Sequence, residues 1–131
     1  MNIEKFVGIP WVEGGRSFTE ADCYGILMLY YKEFLEITLK DYIPDPERVW
    51  FKKEINESFP IFKDFNEVTD LKPHDVLWIK WKDASTGITN HVAVYLGKGL
   101  ILESAKVTGS IIVPLKKRRK LVHKCFRHRS F

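Results

Sequence analysis

The hydrophobic pattern of the chain changes its period near Leu71, and this change limits the folds available to it. Before Leu71, apolar residues recur at helical spacing, most clearly from Ile26 to Phe34. After Leu71, short apolar segments of strand-like character are separated by turn residues. Helices that precede a run of strands are typical of an α+β fold, with the helices packed on an antiparallel sheet.

The second half of the chain predicts a sheet of four to five antiparallel strands. A tight hairpin turn is expected at Gly97-Lys98-Gly99, because two apolar segments flank this glycine-rich tripeptide. A further turn is expected between Asp83 and Gly87. The predicted strands are Val76–Trp81, Val92–Leu96, Leu100–Glu103, Ile111–Leu115 and Leu121–Phe126.

Two helices are predicted in the first half. One begins near Cys23 and ends near Glu36, and the other spans Pro46–Ser58, where a proline suits the first helical turn. The 131 residues are enough for one domain, 1–131, with a core of its own. The two cysteines do not form a disulfide framework.

Charge is distributed unevenly along the chain. Residues 1–103 carry 12 basic and 17 acidic side chains, whereas residues 104–131 carry nine basic and none acidic. The basic C-terminal segment, residues 116–131, begins with Lys116-Lys117-Arg118-Arg119-Lys120. It is either a solvated edge or a docking surface for an acidic protein or an anionic cell-wall polymer. No recognised motif accompanies the charge, which disfavours nucleic acid as the partner.

Cys23 stands where a reactive thiol would be expected. Thr19 is a candidate N-cap, with Asp22 three residues later, so Cys23 falls in the first turn of the predicted helix. Backbone N–H groups at a helix start favour thiolate over thiol, so we expect Cys23 to ionise more readily than Cys125. Taken alone, however, a cysteine beside an apolar series is more often a core residue.

A histidine and a carboxylate on the predicted hairpin complete a candidate thiol-hydrolase site. His91 opens one strand, and Glu103 lies twelve residues later on its partner, so both can face one side of the hairpin. We expect the Glu103 carboxylate to accept the Nδ1–H of His91. The other histidines, His74, His123 and His128, are weaker candidates. No spacing predicts a metal site, and no cofactor is assigned.

Three segments together resemble the NlpC-type cell-wall cysteine peptidases. They are Gly8-x-Pro10-Trp11-x-x-Gly14-Gly15 leading to Asp22-Cys23-x-Gly25, then Leu71-Lys72-Pro73-His74-Asp75-Val76, and finally His91-Val92-x-Val94-Tyr95-Leu96-Gly97-x-Gly99. The resemblance runs from about Val7 to Ala105. It implies a papain-like fold and hydrolysis of D-γ-glutamyl bonds in peptidoglycan stem peptides.

The resemblance also implies roles for individual residues. Cys23 is the expected nucleophile, His91 the general base and Glu103 the third polar residue. Trp11 falls where the family often has a tyrosine that lines the substrate-amine subsite. The expected substrate-binding residues are Trp11, Glu13, Asp22 and Tyr24.

The Gly14-Gly15-Arg16 segment and the aromatic Tyr24 after the cysteine are similar to a bacteriophage tail-associated subgroup. This similarity implies a virion tail protein that aids cell-wall penetration or tail assembly and acts in the bacterial cell envelope. Other tail-tip proteins would be its partners, through the basic segment. The chain starts without the apolar stretch of a signal peptide and has no long apolar run, so we expect synthesis in the host cytoplasm and no membrane association.

Two positions depart from the family pattern and keep an alternative open. The third residue is usually histidine, asparagine or glutamine, and Glu13 stands where tryptophan is frequent. A catalytically weak or inactive structural tail-tip or assembly protein that retains the fold is therefore the alternative to an active endopeptidase. A transferase or amidase could use the same residues.

Overall fold

The computed structural model describes residues 2–41, 61–83 and 87–131. The helix predicted over 46–58 lies outside these residues, and so does most of the turn predicted between Asp83 and Gly87. The described residues form an α+β fold with one long helix on an antiparallel sheet, as the sequence predicts.

Helix α1, Cys23–Leu35, begins and ends close to the predicted positions. Its N-cap is Asp22, whose side chain accepts a hydrogen bond from the backbone N–H of Gly25. Prediction of Thr19 as the cap was wrong, because Thr19 lies in the turn between β1, Arg16–Ser17, and β2, Glu20–Ala21. Glu36 ends the helix in a left-handed conformation, with φ of 56°.

Within the described residues, the main sheet has six strands, one more than the largest number predicted. Its order is β3-β8-β4-β5-β6-β7, and every neighbouring pair is antiparallel. The additional strand is β3, a short edge strand of sequence Phe-Asn-Glu-Val that follows a short helix, α2, Ile61–Asp64. The strands are β3 Phe65–Val68, β4 Val76–Asp83, β5 Gly87–Gly97, β6 Leu100–Ala105, β7 Gly109–Pro114 and β8 Val122–His128.

Both faces of the sheet are covered by apolar side chains. Helix α1 packs on one face, where Tyr24, Leu27 and Tyr31 meet residues such as Val92 and Leu102. On the other face, Leu77, Ile79, Ala93 and Ile101 pack beneath Leu115. Leu115 belongs to the first of two 3-10 turns, Leu115–Lys117 and Arg119–Leu121, that connect β7 to β8.

The basic C-terminal segment is built into the sheet. Its last part, β8, lies between β3 and β4 and pairs with both. The Arg127 guanidinium binds both oxygens of the buried Asp75 carboxylate, with Nε–Oδ1 and Nη2–Oδ2 distances of 2.9 and 2.8 Å. The interpretation of this segment as a solvated edge is therefore wrong for β8, whereas docking to a partner stays a prediction. Lys116, Lys117, Arg119 and Lys120 are exposed.

The N-terminal loop is held against β7 through Ser110. Ser110 N–H donates to the Ile9 carbonyl at 2.9 Å, the Ile9 N–H donates to Ser110 Oγ at 2.8 Å, and the Gly8 N–H donates to the Ser110 carbonyl at 2.9 Å. The preceding residue, Gly109, has a φ of +68°, and a Cβ there would lie 2.6 Å from the Ile9 oxygen. A side chain at this position would therefore strain the backbone and also push the loop away.

Gly109→Ala should destabilise the protein by about 2 to 4 kcal/mol, because it combines an unfavourable left-handed φ with a steric clash. Gly99→Ala is the matched control, since Gly99 has a φ of +75° and open space around its missing Cβ. It should cost only about 1 kcal/mol. Urea unfolding of both variants measures the difference, and equal losses would contradict a steric contact between Gly109 and Ile9.

Candidate active site

The Asp22 carboxylate organises the backbone around the start of α1. Asp22 is 2% exposed. Its Oδ1 accepts the Gly25 N–H at 2.8 Å and Arg16 Nη1 at 2.7 Å, and its Oδ2 accepts the Gly14 N–H at 2.9 Å. The N-terminal loop and the first helical turn are thus fixed to one buried charge, directly before Cys23.

The glycines of the motif allow this loop and the helix to approach each other closely. A Cβ on Gly25 would collide with the carbonyl oxygen of Gly15. A Cβ on Gly15 would in turn lie 2.7 Å from the Glu20 carbonyl oxygen. Side chains at either position would separate the loop from the helix start, so the pair determines where Cys23 stands.

Cys23 is the first residue of α1, as predicted, and it is 5% exposed. Its sulfur receives backbone hydrogen bonds from Val92 and Tyr24, which stabilise a thiolate. Burial, reinforced by the neighbouring Asp22 charge, nevertheless raises the pKa of the Cys23 thiol far above its ordinary value. The expectation that the helix start alone would favour ionisation was wrong, because desolvation outweighs the hydrogen bonds and the Arg16 charge.

Strand β5 carries the second catalytic candidate, His91, and its neighbour Val92 contacts Cys23. The Cα partners of β5 and β6 run from Val94↔Leu102 to Gly97↔Leu100, so His91 and Val92 lie beyond this part of the ladder. The Val92 N–H instead donates to the Cys23 sulfur. Since Val92 directly follows His91, this hydrogen bond places the thiol beside the His91–Val92 peptide.

His91 and Glu103 are joined by a short hydrogen bond, as the hairpin spacing predicts. His91 Nε2 lies 2.7 Å from Glu103 Oε2, and both side chains are buried. The bonded nitrogen is Nε2 rather than the predicted Nδ1. Nδ1 therefore lies on the opposite side of the ring from the carboxylate.

Glu103 has a second partner, a permanent cation, that the sequence did not indicate. Arg118, from the connection between the two 3-10 turns, places Nε 2.8 Å from Glu103 Oε1. Complete burial acts to raise the pKa of the Glu103 carboxyl, but hydrogen bonds and charges from His91 and Arg118 outweigh it and lower that pKa. Glu103 is thus a buried carboxylate held in its charged form.

The expected substrate-binding residues occupy different environments. Trp11 is half-buried, with the Lys106 ammonium 5.5 Å from its ring centroid, and Glu13 is exposed. Tyr24 is buried, and its hydroxyl donates to the Lys40 carbonyl at 2.6 Å. Asp22 uses both carboxylate oxygens within the chain. Substrate contact by any of the four stays a prediction.

Sequence reasoning missed Arg16 and Arg118 as parts of the site. The sequence marks Arg16 only as part of the Gly-Gly-Arg segment, although its guanidinium binds Asp22 and lies 5.5 Å from the Tyr24 ring centroid. The completely buried Glu103 needs a compensating charge, and the only long cationic run of the chain includes Arg118. That combination was the available signal, but no spacing rule connects positions 103 and 118.

The remaining histidines lie in other surroundings. His74 Nδ1 is 2.7 Å from the Tyr30 hydroxyl, His123 meets the Trp78 ring edge-on, and His128 packs against Phe65. Within residues 2–41, 61–83 and 87–131, no cluster of three His, Cys, Asp or Glu side chains could hold a metal ion. No helix of the described part is long and apolar enough to cross a membrane.

The pattern of a helix-borne cysteine beside a histidine strand agrees with a known family. The model of the NlpC/P60 family matches residues 8–127, and the chain therefore belongs to this family. A search among curated proteins finds no match.

Solved structures of the same family share the fold. The NlpC/p60 domain of the peptidoglycan hydrolase SagA is 19% identical, with a TM-score of 0.59 over 94% of this chain and 90% of that chain. An NlpC/P60 family protein from Bacillus cereus is 23% identical, with a TM-score of 0.65 over 94% of this chain. A protein described as similar to a lipoprotein of the NLP/P60 family, from Staphylococcus aureus, is 18% identical, with a TM-score of 0.64 over 95% of this chain. The aligned region spans 36% and 38% of the latter two chains.

Because the buried thiol has a raised pKa, its reactivity at neutral pH should depend on a neighbouring base. We expect His91→Ala to slow alkylation of Cys23 by iodoacetamide at least about tenfold at pH 7, since a thiolate is the reacting species. Mass spectrometry of the labelled peptides gives the rate for each cysteine.

Cys125 is the internal control for this experiment, because it lies on β8 and is only half-buried. Its labelling rate should not differ between the two proteins. An unchanged rate for Cys23 in His91→Ala would show that the histidine does not act on this thiol.

Proposed function

We propose that this chain is a cysteine endopeptidase that cleaves peptidoglycan stem peptides. The observation that carries the proposal is the line of contacts through the site. The Cys23 sulfur accepts the N–H of the peptide that follows His91, and His91 is hydrogen-bonded to a buried, charged Glu103. A thiol, an imidazole and an orienting carboxylate are the parts needed for nucleophilic hydrolysis of an amide.

Because the pKa of the Cys23 thiol is raised, a base has to remove its proton, and His91 takes this role. The imidazole takes the thiol proton as the sulfur attacks the substrate carbonyl, and Glu103 stabilises the resulting imidazolium. Backbone N–H groups of the first turn of α1 stabilise the oxyanion of the tetrahedral intermediate. This intermediate collapses to a thioester when the C–N bond breaks and His91 donates its proton to the leaving amine.

Water completes the reaction. His91, neutral again, removes a proton from a water molecule that attacks the thioester carbonyl. The C–S bond breaks, the free carboxylic acid leaves, and the sulfur recovers its proton from the imidazolium. Each proton transfer thus uses the same ring, whose orientation depends on Glu103.

The finer assignments rest on the sequence resemblance and on the named relative. Hydrolysis after a D-γ-glutamyl residue fits the NlpC-type motifs, and SagA, one of the similar structures, is a peptidoglycan hydrolase. The similarity of the Gly-Gly-Arg and Tyr24 segments to phage tail proteins supports a place in a virion tail that acts in the bacterial envelope. The exposed Lys116, Lys117, Arg119 and Lys120 would then meet acidic surfaces of other tail-tip proteins.

One observation favours the alternative of a structural protein with little activity. The Cys23 thiol is almost completely buried, and burial raises its pKa. If His91 cannot accept its proton, the fold would serve only to bind or assemble. Activity on a defined substrate separates the two possibilities.

Purified protein incubated with peptidoglycan fragments that carry both glycan and stem peptide should release products at the D-γ-glutamyl bond, read by mass spectrometry. Cys23→Ser should reduce the rate at least about a thousandfold, because removal of a nucleophile eliminates the covalent route. Cys125→Ser is the matched control and should retain the wild-type rate, since Cys125 lies on β8 away from α1.

Three results would contradict the endopeptidase proposal or its details. Absence of hydrolysis by the wild type on all stem fragments would favour the structural alternative. Equal rates for Cys23→Ser and wild type would exclude this thiol as the nucleophile. Release of a free glycan strand, with the stem peptide intact, would indicate an amidase.

A further inference from the structure

The basic C-terminal segment reaches the candidate active site at one residue. Arg118 lies between the two 3-10 turns that connect β7 and β8. Its guanidinium Nε donates to Glu103 Oε1 at 2.8 Å, while the other carboxylate oxygen bonds His91 at 2.7 Å. The carboxylate is thus bridged between a permanent cation and the imidazole.

The position of Glu103 makes this bridge necessary for a charged carboxylate. Glu103 is 0% exposed, so bulk water does not solvate it. An isolated buried carboxylate would take up a proton, and a neutral carboxylic acid would stabilise an imidazolium much less well. Among the described residues, the charged or titratable groups that meet Glu103 are His91 from β5 and Arg118, while its β7 partner is Ile111.

The backbone around Arg118 holds the guanidinium in place. The Arg118 N–H donates to the Leu115 carbonyl at 2.8 Å, and the Leu121 N–H donates to the Arg118 carbonyl at 2.8 Å. Leu115 is itself buried in the apolar cluster on the face of the sheet opposite α1. The arginine side chain is 18% exposed, whereas Arg129 in the same segment is 70% exposed.

We propose that Arg118 is a positioning residue for the hydrolytic site, which keeps Glu103 charged and oriented toward His91. The proposal rests on the endopeptidase function above, but its central claim concerns Glu103 and can be measured without substrate. Arg118 acts through Glu103 and does not touch the reacting atoms. The Arg118 guanidinium therefore stabilises the negative charge of Glu103, which water would stabilise if the carboxylate were exposed.

The sign of the effect follows from charge. Arg118 favours the ionised form of Glu103, so its removal should raise the pKa of this carboxyl. Activity that requires the charged carboxylate is lost as pH falls through that pKa. In Arg118→Gln, the acid limb of the pH–kcat profile should therefore move to higher pH, by about one unit.

The test combines a titration with kinetics on the full chain. Carboxyl ¹³C NMR of glutamate-labelled protein follows Glu103, whose signal is assigned by its disappearance in Glu103→Gln. Arg118→Gln should raise the Glu103 pKa by about one unit and lower kcat about tenfold at neutral pH, with KM unchanged. Arg118→Lys should have a Glu103 pKa close to that of the wild type but only part of the wild-type kcat, because an ammonium lacks the fixed planar geometry of guanidinium.

Arg129→Gln is the matched control, since it makes the same change of charge in an exposed arginine whose nearest acidic partner is Asp64, at 3.6 Å. It should leave both the titration and the profile unchanged. A Glu103 titration that is the same in wild type and Arg118→Gln would overturn the proposal, and so would an equal shift in Arg129→Gln. If Arg118→Gln does not fold, Arg118→Lys decides, and an unchanged kcat in that variant would refute positioning.

The two proposals fail in different ways. A wild type without peptidase activity would contradict the endopeptidase function, while the Glu103 titration would still report whether Arg118 holds the carboxylate. If the wild type is active but the Glu103 pKa is unchanged in Arg118→Gln, only the positioning role is contradicted.

Discussion

The geometry of the site depends on one buried charge, the carboxylate of Asp22. Its two oxygens gather the N–H groups of Gly14 and Gly25 and the guanidinium of Arg16, and this contact is made directly before the nucleophile candidate. A buried carboxylate is stable only when its hydrogen-bonding capacity is used, so loop, strand β1 and helix α1 must adopt one mutual arrangement. That arrangement fixes the position of Cys23, and the close approach of Gly15 and Gly25 leaves the thiol little freedom to move.

The uneven charge along the sequence is in part an internal complementarity. Cations from the last part of the chain bind acids that come earlier: Arg118 binds Glu103, Lys124 binds Glu67, and Arg127 binds Asp75 and Asp70. The exposed pairs contribute little to stability, whereas the pairs with the buried carboxylates compensate charges that water cannot reach. A charge run that resembles a tail in the sequence is thus partly a set of partners for the body of the fold.

The sequence predicted the elements whose signals are local. Helix α1, the hairpin at Gly97-Lys98-Gly99 and the meeting of His91 with Glu103 follow from period, turn residues and spacing. Strand β3 was missed because it is only four residues long and half of these residues are polar. They form a strand because they pair with β8. The state of the Cys23 thiol was misjudged for a similar reason, because its burial is a tertiary property that outweighs the local helix start. The contact between Arg118 and Glu103 could not be predicted, because the sequence does not show which turn covers which face of the sheet.

The place of β8 in the sheet has a consequence for how the protein is made. This strand follows all the others in the chain, yet it lies between β3 and β4, and the Phe65↔His128 pair closes a large loop. While the chain emerges from a ribosome, β3 and β4 have to remain without their common neighbour until β8 has left the exit tunnel. Arg118 emerges at nearly the same late moment. The catalytic carboxylate candidate therefore gains its permanent counter-charge only after translation has passed Arg118, so that a nascent chain would carry the thiol long before it carried a completed site.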